Sequence, residues 1–179
     1  TLTGSTASDQ VGSGGVTLLS NGNFVVRSSS WNGSQGAITW GSATAGVSGT
    51  VSAANSLVGS TASDQIGNGG ITALSNGNYV AGSSNWDNGA VTDAGAVTWG
   101  NGAGGTVGAV SAANSLVGSS ASDGVGGFSG GGVFVLSNGN YVVASTNWDN
   151  GAVTNVGAVT WGNGAGGTVG AVSAANSLV

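Results

Sequence analysis

The sequence predicts an all-β fold, and three observations carry the prediction. Asn-Gly dipeptides sit between apolar runs at Asn21-Gly22, Asn76-Gly77 and Asn138-Gly139, which is the strongest short-range hairpin signal. No window shows a helical hydrophobic period with caps, and glycine supplies 38 of 179 residues, each opposing a helix interior by up to about 1 kcal/mol. Finally, the chain repeats itself. The runs beginning at Val51, Val110 and Val172 each contain Ser-Ala-Ala-Asn-Ser-Leu-Val, and the equivalent residues Leu2, Leu57, Leu116 and Leu178 recur at steps of 55, 59 and 62.

The period of about sixty residues divides the chain into repeat one (1–58), repeat two (59–117) and repeat three (118–179), in one continuous repeat domain. Within repeat two, Ile71–Leu74 and Tyr79–Ser83 flank Ser75-Asn76-Gly77-Asn78 as a hairpin whose turn needs positive φ at both central positions. A third strand, Gly95–Trp99, ends at Gly100-Asn101-Gly102, and Gly105–Leu116 holds a fourth, Ala- and Ser-rich strand. The prediction is thus three tandem four-stranded antiparallel sheets. Repeat one lacks four residues between Trp31 and Ala37, and repeat three gains three in the Gly-rich stretch Val125–Gly132. Both places are expected to be loops, where changes of length cost little. Both ends fall at the same phase of the repeat, so the chain reads as a segment of a longer array.

Composition excludes much of function space. Lys+Arg is 1, Asp+Glu is 6 and His is 0, so 4% of residues are charged where about 25% is ordinary. One cation cannot neutralise a phosphate backbone, so nucleic acid is not an expected partner. A net charge of -5 repels an anionic membrane surface, and no apolar run approaches the roughly 18 residues of a spanning helix. Without Cys, His or Lys there is no thiol nucleophile, imidazole base or Schiff-base amine, and no enzyme is expected. Collagen is excluded by the missing third-position glycine and the absence of proline. Disorder is opposed by 39% hydrophobic residues.

The order Leu57-Val58-Gly59-Ser60-Thr61-Ala62-Ser63-Asp64-Gln65-Ile66-Gly67, then Asn76-Gly77-Asn78-Tyr79-Val80, then Gly95-Ala96-Val97-Thr98-Trp99-Gly100 resembles the FG-GAP repeat of integrin-α-type β-propellers. The resemblance implies propeller-blade-like repeats. It departs from that family at residues 74–78, where the acidic calcium loop has become Leu-Ser-Asn-Gly-Asn with no carboxylate, so the blade-type Ca²⁺ site is expected to be absent. The repeats are also similar to Gly/Asn/Ser-rich tandem repeats of large secreted bacterial surface proteins with haemagglutinin-like export domains. Three blades fall short of the four to eight that close a propeller. Further repeats of the same chain, a six-membered ring from two segments, an open array or filament, and a closed three-sheet prism all remain open.

Few side chains are candidates for chemistry. Asp9, Asp64 and Asp123 occupy equivalent positions and read as structural, each accepting backbone N–H groups in a turn. Asp87 and Asp93 form the close carboxylate pair a Ca²⁺ loop would use, but a solvated hairpin turn is the default there and no cofactor is expected. Trp40, Trp99 and Trp161, ending the third strands, read as packing between blades. Trp31, Trp86 and Trp148 lie beside polar residues at a loop edge. If exposed, they would stack a sugar ring with Asp87 and Asp149, and with Asn85 and Asn147, as hydrogen-bonding neighbours. Arg27 is expected to keep its head in solvent.

The charge deficit points to the function class. A surface of Ser, Thr, Asn and Gly lacks the charges and prolines that discourage association and blunt strand edges. The expected function is a non-enzymatic structural module of a secreted, cell-surface bacterial protein. It would self-associate into a filament, stalk or matrix, with adhesion and cell-surface glycans as the accompanying role and partner. The alternative is a lectin-like, carbohydrate-binding propeller.

Overall fold

The computed structural model describes residues 1–127 and 132–179, and the fold is nearly all β. Repeat one carries β2 (Gly15–Leu18), β3 (Phe24–Ser28), a single turn α1 (Trp31–Ser34), β4 (Ala37–Gly41), β5 (Gly49–Thr50) and β6 (Ser56–Val58), preceded by β1 (Leu2–Thr3). Repeat two carries β7 (Ile71–Ala73), β8 (Tyr79–Ser83), β9 (Ala96–Gly100), β10 (Gly108–Ala109) and β11 (Ser115–Val117). Repeat three carries β12 (Gly132–Val135), β13 (Tyr141–Ser145), β14 (Ala158–Gly162), β15 (Gly170–Ala171) and β16 (Ser177–Leu178). Each repeat builds one antiparallel four-stranded meander: β2-β3-β4-β6, β7-β8-β9-β11 and β12-β13-β14-β16.

The fourth expected strand is in fact two. After the third strand, the two-residue strand β10 leaves its own repeat and pairs parallel with β6 of the repeat before it, in the register Leu57↔Gly108 and Val58↔Ala109. The strand β15 does the same to β11, with Leu116↔Gly170 and Val117↔Ala171. A turn closed by Asn114, whose side chain accepts the Ser111 N–H and donates to Ala109 O (both 2.9 Å), returns the chain to β11 in its own sheet. A run of alanine and serine carries no period-2 signature, so the break is invisible in the pattern.

The hairpin turns also differ from the expectation. Only the glycine has positive φ (Gly22 87°, Gly77 89°, Gly139 84°), while Asn21, Asn76 and Asn138 do not. Gly22 N donates to Leu19 O (3.0 Å) and Leu19 N to Asn23 O (2.8 Å), so the asparagine completes an ordinary turn and the glycine takes the left-handed position after it. In repeat one, α1 is a tight turn, with Asn32 and Gly33 left-handed, and it does the work of the longer hairpin closed by Asn88 and Val91 in repeat two. The extra residues of repeat three fall at 128–131, outside the described residues.

The sheets stack face to face, and two of the three apolar clusters among the described residues lie between repeats; the third, Trp31, Ala37, Val51 and Val58 with Leu2 and Val11 packed against them, lies within repeat one. One cluster takes Leu19, Val25, Ile38 and Leu57 from repeat one and Ile66, Tyr79, Ala81 and Trp86 from repeat two. The next takes the equivalent Leu74, Val80, Val97 and Leu116 from repeat two and Val125, Tyr141, Val143 and Trp148 from repeat three. Strand alternation explains the division. Along β9, Val97 points to the following repeat, while Ala96 and Thr98 point to the preceding one. Thr98 and Ser115 share a buried hydroxyl hydrogen bond of 2.7 Å, a pairing repeated at Thr39–Ser56 and Thr160–Ser177.

The backward-facing sheet surface is kept flat enough to stack by an aromatic residue lying over a glycine. Phe24, Tyr79 and Tyr141 pair across the ladder with Gly41, Gly100 and Gly162, and a Cβ on any of these glycines would occupy ring space.

Candidate functional site

The face between consecutive repeats is the most elaborated surface of the molecule. Its backbone-level fastener is the loop that opens each repeat. Asp64 accepts the N–H groups of Ser60 (2.7 Å), Thr61 (2.9 Å) and Asp87 (3.1 Å), tying the loop to the residue after Trp86. Asp9 does the same to Ser5, Thr6 and Asn32, and Asp123 to Ser119, Ser120 and Asp149. These aspartates are buried. The Thr6 hydroxyl and the backbone N–H donors hold the Asp9 carboxyl down to about 2, against the opposing effect of burial.

The loop so fixed reaches the preceding repeat. Gln65 N donates to Ser34 O (2.9 Å) and Ile66 N to Gln35 O (3.0 Å), which places Ile66 in the core beneath the previous sheet. At the next junction Gly124 N donates to Asp93 O (3.0 Å) and Val125 N to Ala94 O (3.1 Å), and Val125 takes the same place.

A second connection is a single carbonyl. Gly102 O, on repeat two, accepts from Asn21 Nδ2 (2.9 Å), Asn23 Nδ2 (2.8 Å) and Trp40 Nε1 (2.9 Å), all on repeat one. Gly164 O receives Asn76 (2.8 Å), Asn78 (2.9 Å) and Trp99 (2.9 Å) in the same way. The hairpin asparagines and the tryptophans that end the third strands therefore work as one clamp. The parallel strand pairing described above is a third connection, and at the first junction Arg27 adds a fourth. Its guanidinium donates to Gly14 O and across to Gly67 O (both 2.9 Å), so its head is engaged rather than solvated. At the second junction its counterpart Gly82 lies directly against the Gly126 backbone instead.

The residues singled out for ligand chemistry are spent on this architecture. Trp31, Trp86 and Trp148 are buried, at 7%, 3% and 3% exposure, so the exposed ring faces expected for sugar stacking are not found. Of their polar neighbours, Asn147 is exposed and Asn85, Asp87 and Asp149 are half-buried, while the rings pack into the apolar clusters. Asp87 Oδ1 accepts the Asp93 N–H (2.8 Å) and Asp149 Oδ1 the Asn155 N–H (2.7 Å), each closing its own hairpin. Among the described residues no group of three or more acidic, His or Cys side chains gathers where a cation could be held.

The junction face is present once more, uncovered, on repeat three. Leu57 and Leu116 are each 1% exposed, whereas the equivalent Leu178 is 76% exposed; Ile38 and Val97 are fully buried, whereas Val159 is 45% exposed. Trp161 is 53% exposed and, among the described residues, has no carbonyl to donate to. A groove of about 240 Å³ runs beside β16, lined by Ala144, Val156, Gly157, Val159, Leu178 and Val179 among others. Its counterpart at the second junction holds the loop around Val125.

No curated protein matches the chain in sequence. A family model described as a repeat of unknown function, DUF5650, matches three times, at residues 18–68, 73–127 and 135–179, and these matches span most of the sequence. The chain belongs to the DUF5650 repeat family, three of whose repeats make up this stack of sheets.

Proposed function

We propose that the chain is a non-enzymatic structural module of an extracellular bacterial surface protein, whose repeats stack and self-associate into a stalk, filament or matrix that also serves adhesion. The observation that carries this reading is that the two largest cores are each shared between neighbouring repeats, so the stack is quasi-one-dimensional and both junctions use the same three sets of contacts. The carboxylates supply backbone staples, and the chain offers no His, Cys or Lys for acid-base or nucleophilic work. The uncharged Ser, Thr, Asn and Gly surface supports both the homotypic contact and the likeness to repeats of secreted surface proteins. The likeness to FG-GAP blades belongs to the same reading, since each repeat is a four-stranded meander as a propeller blade is.

Light scattering on the purified 179-residue chain, with negative-stain images of the same sample, tests the proposal. Filaments or discrete multi-chain assemblies are the expected result. A monodisperse monomer at every concentration overturns the self-associating role.

A further inference from the structure

We propose that a second copy of this chain docks its first repeat onto the exposed face of repeat three, head to tail, by exchanging one strand for another. The inference rests on the structural reading above and names the surface and the route. It follows from the two junctions inside the chain, which use the same three devices: an apolar loop residue under the preceding sheet (Ile66, Val125), a two-residue parallel strand on the preceding last strand (β10, β15), and a carbonyl that gathers the preceding Asn and Trp donors (Gly102, Gly164).

Repeat three presents the receiving half of all three. The groove beside β16 is open, the outer edge of β16 pairs with no further strand among the described residues, and Trp161 stands exposed with Asn138 and Asn140 on the same sheet. Repeat one carries the entering half. Val11 is the counterpart of Ile66, β5 is the counterpart of β10, and Ala43, whose N–H donates to Asn23 Oδ1 as Gly102 N–H donates to Asn78 Oδ1, carries the counterpart of the clamp carbonyl. A non-closing, heterologous contact between these halves extends without limit.

One element stands in the way, and it defines the mechanism. The strand β1 already lies on β5, in the register Leu2↔Gly49 and Thr3↔Thr50, which is the register of Leu57↔Gly108 and Val58↔Ala109. The strand β1 therefore occupies the place that β16 of another copy would take, with Leu2 standing where Leu178 would pack. Docking releases β1 and seats β16 on β5 in its place, so the exchange conserves the pairing of β5 while covering Leu178 and Val159.

Sedimentation of the 179-residue chain over a dilution series, with tryptophan emission on the same samples, tests this. The expected result is concentration-dependent, open-ended association with a blue shift as Trp161 is covered. Leu178→Asp should weaken association tenfold or more, with melting of the dilute chain unchanged because the side chain is exposed there. Leu2→Ala should strengthen it, because β1 leaves more readily. Association unaffected by both substitutions overturns the inference while leaving self-association standing. A chain that stays monomeric even as Leu2→Ala overturns both. If residues 118–179 appended again behind Val179 shield Trp161 from a soluble quencher while separate copies never do, the occupant is a following repeat of the same chain, and the second-copy inference is again overturned.

Discussion

The forward faces of repeats two and three carry nearly the same side chains and lead opposite lives. On repeat two Leu116, Val97 and Val80 are sealed under repeat three; on repeat three Leu178, Val159 and Val142 are wholly or partly in solvent. Side-chain identity is thus held constant while burial changes, and the difference is due to the neighbouring repeat alone. In a stack, a leucine acquires its energetic weight from the repeat that follows it. The comparison breaks most cleanly at this position. Leu116→Ala removes a fully buried side chain and should destabilise the chain by about 2–5 kcal/mol, whereas Leu178→Ala should cost under about 0.5 kcal/mol in dilute samples. Denaturant unfolding of the two variants measures the gap, and equal losses would show that the junction is not the source of stability.

The clamp offers a smaller version of the same contrast. Trp99 Nε1 donates to Gly164 O, which retains Asn76 and Asn78 if the indole is lost; Trp161 has no such acceptor among the described residues. Trp99→Phe should therefore cost about 1 kcal/mol, the net value of one hydrogen bond, with a further loss from the narrower ring. Trp161→Phe should leave thermal melting unchanged. A matching loss in both variants would place the tryptophan's value in its own sheet rather than in the clamp.

Much of this architecture is legible in the sequence. The strands β8 and β9 fall within a residue of their expected limits, because alternation and Asn-Gly punctuation are local signals. The packing of Trp40 and Trp99 between repeats follows from the same reasoning, since large rings are scarce in this chain and must supply buried area. The destination of β10 is not legible, because two small residues pairing parallel with a strand 51 residues away have no periodic signature. Trp31, Trp86 and Trp148 mislead for a related reason. Their chain neighbours are polar, but their burial is decided by an aspartate 22, 22 and 25 residues upstream (Asp9, Asp64, Asp123), which pins the backbone just after each ring. That near-constant spacing is the signal that could have revealed the staple. Arg27 is misread likewise, because its acceptor Gly67 O belongs to the next repeat.

The smallest effect compares repeats one and two at the aromatic residue that covers the third-strand glycine. Repeat one uses Phe24 and repeat two Tyr79, so repeat one already lacks the hydroxyl. The Tyr79 hydroxyl is buried without a hydrogen-bond partner, and the Thr106 backbone offsets only part of the effect of that burial on its acidity. Burial pushes the Tyr79 phenol up to about 12, and that of Tyr141 likewise. Tyr79→Phe removes an unpaired polar atom and should change stability at neutral pH by less than about 1 kcal/mol, in the stabilising direction. The pH dependence has a definite sign. The unfolded tyrosine ionises near 10 and the folded one about two units later, so above pH 10 the unfolded state binds fewer protons and stability falls until about pH 12. Tyr79→Phe should flatten part of that alkaline limb, leaving the share that belongs to Tyr141. Melting curves from pH 8 upward, read beside tyrosinate absorbance, check it, and an alkaline limb identical in the variant would mean that Tyr79 ionises in the folded chain as freely as in water.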